Sequence, residues 1–269
     1  MLRYLLRRLN LFLATSLVMI GVLFYATGLF PIERTFALTG IHSPSAAQLS
    51  QIEQDYKLDS NKALQFIAYL QQRLSGNLGV SVTSHQSVAE ELSTVLPASF
   101  ELAVMAAVIA IGLGVPLGVL ASQSQHKLTQ NTIMAITLTG YSVPVFWLGL
   151  YLSLWFGVDL GWLPISGQLN LLYEIKPVTG FMLVDILLSD SEYRISAFKD
   201  ALLHIILPAT TLAVLPFTVV VRSTRSAMMN VMNQTFIRAA EARGMHTNTI
   251  ILRHALPNAL IPVLKHLGL

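Results

Sequence analysis

The residues of this chain that could carry out chemistry are few, and they are not grouped. Its seven histidines are scattered singly, and the zinc-binding pattern H-E-x-x-H is absent. There are no cysteines, so disulfides and thiolate metal sites are excluded. The phosphate-binding pattern G-x-x-x-x-G-K-[ST] is also absent, so the chain itself is not expected to hydrolyse ATP. The sequence therefore predicts a non-catalytic protein that holds neither a metal nor a cofactor.

The composition indicates a membrane protein. Of the 269 residues, 54% are hydrophobic and only 12% are charged, and the mean hydropathy is +0.61. Soluble domains carry about 25% charged residues, so this chain has too little charge to cover a surface in water. The formal net charge of +3 is too small to indicate a nucleic-acid partner. We expect an all-α, polytopic membrane protein whose surface contacts the lipid bilayer.

Four apolar stretches are long enough to cross a bilayer, which takes roughly 20 helical residues. They cover residues 9–30, 98–121, 131–157 and 201–221. The only Asp, Glu, Lys or Arg within them is Glu101, and this scarcity argues against an ion-coupled transporter. A further apolar run begins near Ala259 and stops at Leu269. Because a span that ended inside the bilayer would leave carbonyls without partners, we expect the protein to continue beyond Leu269.

The distribution of basic residues predicts a cytoplasmic N-terminus. With that orientation, the inner segments 1–8, 122–130 and 222–258 hold nine Lys and Arg in 54 residues. The outer segments 31–97 and 158–200 hold seven in 110 residues. Lys and Arg are enriched in cytoplasmic loops, so the denser set belongs inside. The basic N-terminus is also compatible with a signal peptide, but the apolar run is longer than usual and no A-x-A site follows closely.

We divide the chain into three parts. These are an N-terminal helix at 1–30, an outer segment with short helices at 31–95, and a transmembrane core at 96–269. Within the outer segment, Leu49, Ile52 and Tyr56 recur at helical spacing. The stretch 88–96 predicts an amphipathic helix at the membrane surface that Pro97 stops.

Several of the apolar stretches contain residues that break helices. Proline removes a backbone donor and clashes with the preceding turn, so it kinks a helix. Two interpretations remain open: ordinary packing of kinked helices, or kinks that shape a translocation path. The breakers are Gly112, Gly114, Pro116, Gly140, Pro144, Pro208 and Pro216.

The inner segment 222–258 predicts two helices joined by a turn. Its first half lacks Gly and Pro, and Gly244 suits the position just after a helix C-terminus. Thr247 is a candidate cap for a second short helix that runs to Pro257. Ala239 and Ala240 would present a flat surface that another protein can approach closely. From the residues alone, the segment is either a docking element or an ordinary connecting loop.

This inner segment resembles the signature of ATP-binding-cassette (ABC) permeases, which reads E-A-A-x-x-x-G, nine residues, then I-x-L-P. The chain departs from it at two positions, where Arg238 replaces Glu and His254 replaces Ile. The matching residues are Ala239, Ala240, Gly244, Leu256 and Pro257. Other stretches are similar to the first-subunit permeases of the dipeptide/oligopeptide family, and residues 168–200 to its Sap-type branch in Gram-negative bacteria. These stretches are GNLGVSV (76–82), LPASFELA (96–103), GVPLGVLAS (114–122), YSVPVFWLGL (141–150) and GWLPISG (161–167).

The resemblance implies a type I importer transmembrane domain of six helices, of which about five would be present here. It implies a second permease subunit, two ATPase subunits that bind the ATP, and a periplasmic substrate-binding protein. It also implies a location in the bacterial inner membrane. The residues that would dock an ATPase are Arg238, Ala239, Ala240, Gly244, His254, Leu256 and Pro257.

The resemblance makes peptide transport the leading interpretation of function. A second interpretation keeps the scaffold and changes the cargo to small cations such as the polyamine putrescine. Twelve acidic side chains in the outer segments would suit a cation, although ordinary solvation explains them too. A third interpretation is a membrane sensor without transport, against which the docking signature argues. The sequence names no substrate-contacting residue and leaves the direction of transport open.

Overall fold

The computed structural model describes residues 2–27, 34–41, 44–81 and 83–266. Within this part the regular elements are helices, and the one isolated bridge pairs Val80 with Ser87. The chain forms two compact units, residues 1–96 and 97–269. The α-helices are α1 (Leu2–Thr27), α2 (Arg34–Thr39), α3 (Ala46–Tyr56), α4 (Lys62–Leu74), α5 (Val88–Gln123), α6 (Lys127–Ser142), α7 (Val145–Leu152), α8 (Met182–Leu188), α9 (Arg194–Met232), α10 (Thr235–Ala242), α11 (Thr247–Thr249) and α12 (Leu256–His266).

Three of the described helices are long and apolar enough to cross a membrane. They are α1, α5 and α9, and α6 with α7 makes a fourth if the two are counted as one broken span. These are the four regions predicted from hydropathy, and the all-α prediction is confirmed. Residues 28–30 of the first predicted span and 267–269 of the last apolar run lie outside the described residues.

The first unit has a small aromatic core. Phe24 of α1 packs with Leu38, Ile52 and Tyr56, three buried residues from α2 and α3. Helix α3 begins at a capping box in which Ser45 accepts from the Gln48 N–H, while the Gln48 side chain accepts from the Ser45 N–H. The predicted short helices of the outer segment are therefore present as α3 and α4, at the spacing that the apolar residues indicated.

Helix α5 does not stop at Pro97, so the predicted surface helix at 88–96 is wrong as a separate element. The helix continues for 36 residues from Val88 to Gln123 and contains both Pro97 and Pro116. A proline inside a helix removes one backbone hydrogen bond without ending the helix when the residues around it keep helical geometry.

The third apolar stretch is broken rather than kinked. Helix α6 ends at Ser142, Val143 is extended, and α7 begins after Pro144, with an angle of 101° between the two helices. Proline suits this position because the first residues of a helix need no N–H partner, and it disfavours helical geometry at the residue before it. Beyond Leu152 the helix widens into a π-helical segment, Ser153–Asp159.

Helix α9 is the centre of the second unit. It contains Pro208 and Pro216 yet runs unbroken for 39 residues, which corresponds to about 58 Å at 1.5 Å per residue. Glycines of three other helices allow close approach to it. An added Cβ would lie 2.8 Å from Val220 at Gly114, 3.1 Å from Val214 at Gly140 and 3.2 Å from Thr211 at Gly149.

The connection between α7 and α9 is folded around a buried carboxylate. Asp185 of α8 accepts hydrogen bonds from the Thr179 hydroxyl (2.7 Å) and from the backbone N–H groups of Val178, Thr179 and Gly180 (3.1, 2.8 and 3.0 Å). Burial alone would raise the pKa of Asp185, but these hydrogen bonds outweigh it and lower the pKa from 3.8. The turn at 177–180 is thereby tied to α8.

Candidate functional site

The candidate site is the short helix that follows the end of α9, together with the turn after it. Helix α9 ends at Met232, Asn233 and Gln234 turn the chain, and α10 follows from Thr235 to Ala242. We call residues 233–249 the coupling segment. A two-residue turn separates α9 from α10, so the end of the long central helix leads directly into this segment.

The inner side of α10 is fixed in a hydrophobic core. Ile237 is fully buried and Ala240 is 8% exposed. Both belong to a cluster with Met228 and Val231 of α9 and Ile250, and Ala259 and Val263 of α12 belong to the same cluster. The position of α10 is therefore tied to both α9 and α12, so a displacement of one element would be transmitted to the others through packed side chains.

The outer side of α10 is exposed. Phe236 is 40% exposed, and Arg238, Ala239, Glu241 and Gly244 are also exposed. The predicted flat surface is correct for Ala239 and wrong for Ala240, because two adjacent helical residues point about 100° apart and Ala240 faces the core. The surface contains an aromatic ring, a small residue that permits close approach, and charges of both signs.

Gly244 closes α10 as the sequence predicts. Its φ is +74°, its N–H donates to the Glu241 carbonyl at 2.9 Å, and the Met245 N–H donates to the Ala240 carbonyl at 3.3 Å. This pair of bonds is the Schellman motif, which requires the left-handed conformation that glycine adopts without strain. No atom of the described residues lies within 4 Å of an added Cβ, so glycine is needed here for its backbone and not for space.

The second helix of the segment differs from its prediction at both ends. His246 rather than Thr247 is the N-cap, and its Nδ1 accepts from the Asn248 N–H at 3.3 Å. The helical stretch passes through a π-helical turn, Ile250–Ala255, and continues through Pro257 and Pro262 to His266. The widened turn directly precedes Pro257, where it relieves the clash that the proline ring would make in a regular α-helix.

The signature residues thus separate into two places. Arg238, Ala239 and Gly244 lie on the exposed coupling segment. Leu256 packs against the core that supports α10, and the His254 carbonyl accepts from the Asn258 side chain at 2.7 Å. Pro257 is exposed on α12. The second half of the signature therefore belongs to the supporting core and to α12.

Sequence reasoning missed two groupings. Gly114 of α5 was interpreted as a helix breaker, but it forms a close-packing face with Gly118, and their G-x-x-x-G spacing was the available signal. Glu101 and His204 line one cavity at the N-terminal halves of α5 and α9. No local pattern could have joined these two, because 102 residues separate them in the sequence.

Comparison with known proteins identifies the chain. Residues 114–269, which include the coupling segment, match the family described as binding-protein-dependent transport system inner membrane component. The chain belongs to this family. It is a permease subunit, a membrane component of a transport system, and the predicted resemblance to peptide permeases is confirmed.

Individual relatives agree with this assignment. The Di/tripeptide transport system permease protein DppB of Pseudomonas aeruginosa is 39% identical over 269 residues, which cover 100% of this chain and 79% of that protein. The Putrescine export system permease protein SapB of Escherichia coli is 47% identical over 193 residues, 72% of this chain and 60% of that protein. The Peptide transport system permease protein SapB of Salmonella typhimurium is 44% identical over 196 residues, 73% of this chain and 61% of that protein.

Proposed function

We propose that this permease subunit forms part of the translocation pathway of an ATP-driven peptide transporter in the bacterial inner membrane. The peptide substrate is supported by the names of DppB and of the Salmonella SapB, which match this chain at 39% and 44% identity. The absence of a phosphate-binding loop supports ATP hydrolysis by separate subunits, so this chain would hold neither ATP nor another cofactor.

The observation that carries the proposal is the coupling segment. Its outer side is exposed, and its inner side is packed through Ile237 and Ala240 into a core shared with α9 and α12. A surface that only linked two helices would not need this rigid support. We propose that an ATPase subunit binds the exposed side, and that nucleotide-driven movement of the ATPase reaches α9 and α12 through the core.

An ATP-driven permease of this kind requires further partner subunits. A second permease subunit would complete the pathway, since this chain contains no internal repeat to supply the other half. A second ATPase would dock on that subunit, and a periplasmic binding protein would deliver the substrate. With the N-terminus cytoplasmic, as the Lys and Arg distribution supports, α10 lies on the side where ATP is available.

A polyamine is the second candidate substrate. It is favoured by one observation, the 47% identity to a SapB protein named for putrescine export. Peptides with a free N-terminus and polyamines both carry a primary ammonium group, so the same scaffold is chemically compatible with both. The two candidates also differ in the direction of transport. The SapB relative of Escherichia coli is named for export of putrescine, whereas a transporter that receives its substrate from a periplasmic binding protein is an importer.

The test is the substitution Gly244→Val in the complete transporter. An ordinary non-glycine residue in the left-handed conformation raises the free energy of the folded chain by roughly 1 kcal/mol, and a β-branched residue at φ +74° raises it further. The turn after α10 should therefore rearrange. We expect at least tenfold slower ATP-dependent uptake of di-alanine in proteoliposomes, with membrane insertion unchanged. ATP hydrolysis should continue at its basal rate without stimulation by the substrate.

Gly161→Val is the matched control. Gly161 also has a positive φ, +62°, and in the described part of the chain no atom lies within 4 Å of an added Cβ there. It lies in the connection after α7, outside the coupling segment. The Gly161→Val variant should retain uptake within about threefold, because strain at position 161 does not change the segment that we propose binds the ATPase. Wild-type coupling in Gly244→Val, or equal losses in both variants, would contradict the proposed role of the segment.

A further inference from the structure

The second unit contains a cavity that the coupling mechanism does not use. It has a volume of about 240 Å³ and lies between α5, α8, α9 and the connection that precedes α8. His204 is 28 residues before the end of α9, which is about 42 Å along the helix, so the cavity lies far from the coupling segment. Most of its wall is apolar and includes Leu102, Met182, Ile205 and Pro208.

Glu101 provides a carboxylate in this apolar wall. Its Oε1 accepts a hydrogen bond from the Leu183 N–H at 2.8 Å, which ties α8 to α5. Its Oε2 has no hydrogen bond and no ion pair to any residue in the described part of the chain. If Glu101 only accepted the hydrogen bond from the Leu183 N–H, a neutral amide side chain would be sufficient. A carboxylate with one unused oxygen therefore points to a cationic partner.

His204 provides a second acceptor. Its side chain is 8% exposed, and its Nδ1 lies 2.8 Å from the Asp200 carbonyl and 3.3 Å from the Asp200 carboxylate. A carbonyl oxygen can only accept, so Nδ1 must carry the proton in that bond. In the neutral imidazole, Nε2 is then an acceptor, and it has no partner among the described residues.

The remaining polar side chains that line the cavity can also accept hydrogen bonds. The other polar side chains are Ser99 and Gln168, both of which can accept hydrogen bonds, and neither Lys nor Arg is among the lining residues. A primary ammonium group carries three donors and one positive charge, which match a carboxylate oxygen and nearby neutral acceptors. A volume of about 240 Å³ holds one end of a ligand rather than a whole oligopeptide.

We propose that this cavity binds the primary ammonium group of the transported substrate, with Glu101 as its counter-ion and His204 as a second acceptor. The inference rests on the proposed transport function and specifies which part of the substrate the chain recognises. The ammonium group belongs to a peptide N-terminus or to a polyamine, and the apolar wall contacts the carbon chain attached to it.

The test measures equilibrium binding of radiolabelled di-alanine and of radiolabelled putrescine to the complete transporter in lipid nanodiscs. Glu101→Gln keeps an acceptor for the Leu183 N–H and removes the charge, so we expect at least tenfold weaker binding. His204→Asn keeps a donor toward Asp200 and removes Nε2, and we expect about threefold weaker binding. N-acetyl-di-alanine, which lacks the ammonium group, should fail to displace either label.

Glu90→Gln is the matched control, because Glu90 is an exposed carboxylate in the first turn of α5 and does not line the cavity. Its variant should bind within twofold of wild type. A preference for di-alanine identifies a peptide N-terminus, and a preference for putrescine identifies a polyamine. Unchanged binding in Glu101→Gln, equal displacement by N-acetyl-di-alanine, or no binding to the wild type would overturn the proposal.

ATP-dependent uptake is measured on the same preparations to separate this inference from the proposed function. If the wild-type transporter moves neither probe while its binding still depends on Glu101, the transport proposal fails and the ammonium site stands. If the wild type transports di-alanine and Glu101→Gln binds it normally, the ammonium site fails and the transport proposal stands.

Discussion

At Asp185 a single buried side chain holds together a turn and a helix. The carboxylate accepts four hydrogen bonds from three consecutive residues, Val178 to Gly180. Because its pKa is lowered in the folded protein, the ionised form contributes stability at every pH above the unfolded-state value of 3.8. That contribution is lost as the pH falls through the lowered folded-state pKa.

Asp185→Asn is expected to loosen the segment 177–188. The amide oxygen can accept at most two of the four hydrogen bonds, and the amide N–H₂ faces backbone donors, so we expect a cost of about 2 kcal/mol. Limited proteolysis should cleave this segment roughly 30-fold faster at pH 7, since 1.4 kcal/mol corresponds to tenfold. The difference from wild type should shrink with pepsin at pH 3.

Asp190→Asn is the control for this experiment. Asp190 is exposed two residues beyond α8, so its replacement should leave cleavage of the segment unchanged. Equal cleavage of wild type and Asp185→Asn at pH 7 would show that the four hydrogen bonds do not hold the segment closed.

Single residues were predictable where the local sequence alone sets their conformation. Gly244 was placed correctly because a glycine after an uninterrupted helical run commonly marks a C-terminal cap. The cage around Asp185 and the pairing of Glu101 with the Leu183 N–H were not predicted, because both depend on how the chain folds back on itself. The contact joins residues 82 positions apart, and the sequence between Glu101 and Leu183 contains no signal of it.

At the scale of helices, a glycine face of α5 sets the distance to α9. An added Cβ at Gly118 would lie 2.6 Å from Thr224 Cβ and 2.8 Å from the Val221 carbonyl, closer than real Cβ atoms approach. Without a hydrophobic force between helices in lipid, such close packing is a main source of association. The interface therefore depends on the absence of a side chain at Gly118.

Gly118→Ala is expected to separate α5 from α9 at a cost of about 1–3 kcal/mol, the usual range for overpacking. Heating the detergent-purified protein and measuring the fraction that stays monodisperse should show a lower midpoint temperature. Gly112→Ala, on the same helix with no atom within 4 Å of the new Cβ, should leave the midpoint unchanged or slightly raised. The same midpoint for both variants would contradict the packing role of Gly118.

Helix positions were predictable from hydropathy, whereas helix continuity was not. The apolar stretches correctly located α1, α5, α6 with α7, and α9. Proline was a poor guide to boundaries: Pro144 marks a break of 101°, while Pro97, Pro208 and Pro216 lie inside continuous helices. A proline within a membrane helix is tolerated where other groups satisfy the freed backbone carbonyl, so its presence alone does not mark a helix boundary.

At the scale of the molecule, the second unit connects two regions with different chemistry. The coupling segment at one end of α9 is the surface that we propose binds the ATPase, and the cavity at the other end is lined by the side chains that we propose bind the ammonium group. Both regions contact α9, whose 39 residues run without a break between them. We therefore propose that movement of the ATPase reaches the substrate path through α9.

Cross-linking from position 239 in the assembled transporter tests most directly whether the coupling segment binds the ATPase. The chain has no native cysteine, so Ala239→Cys carries a single site for a benzophenone maleimide. Ala239 is exposed, and we expect its adduct to contain the ATPase subunit. Ala240→Cys, which faces the core, should give at least tenfold less of this adduct. An ATPase adduct formed from Leu128→Cys, at the exposed start of α6, and absent from Ala239→Cys would contradict ATPase binding by the coupling segment.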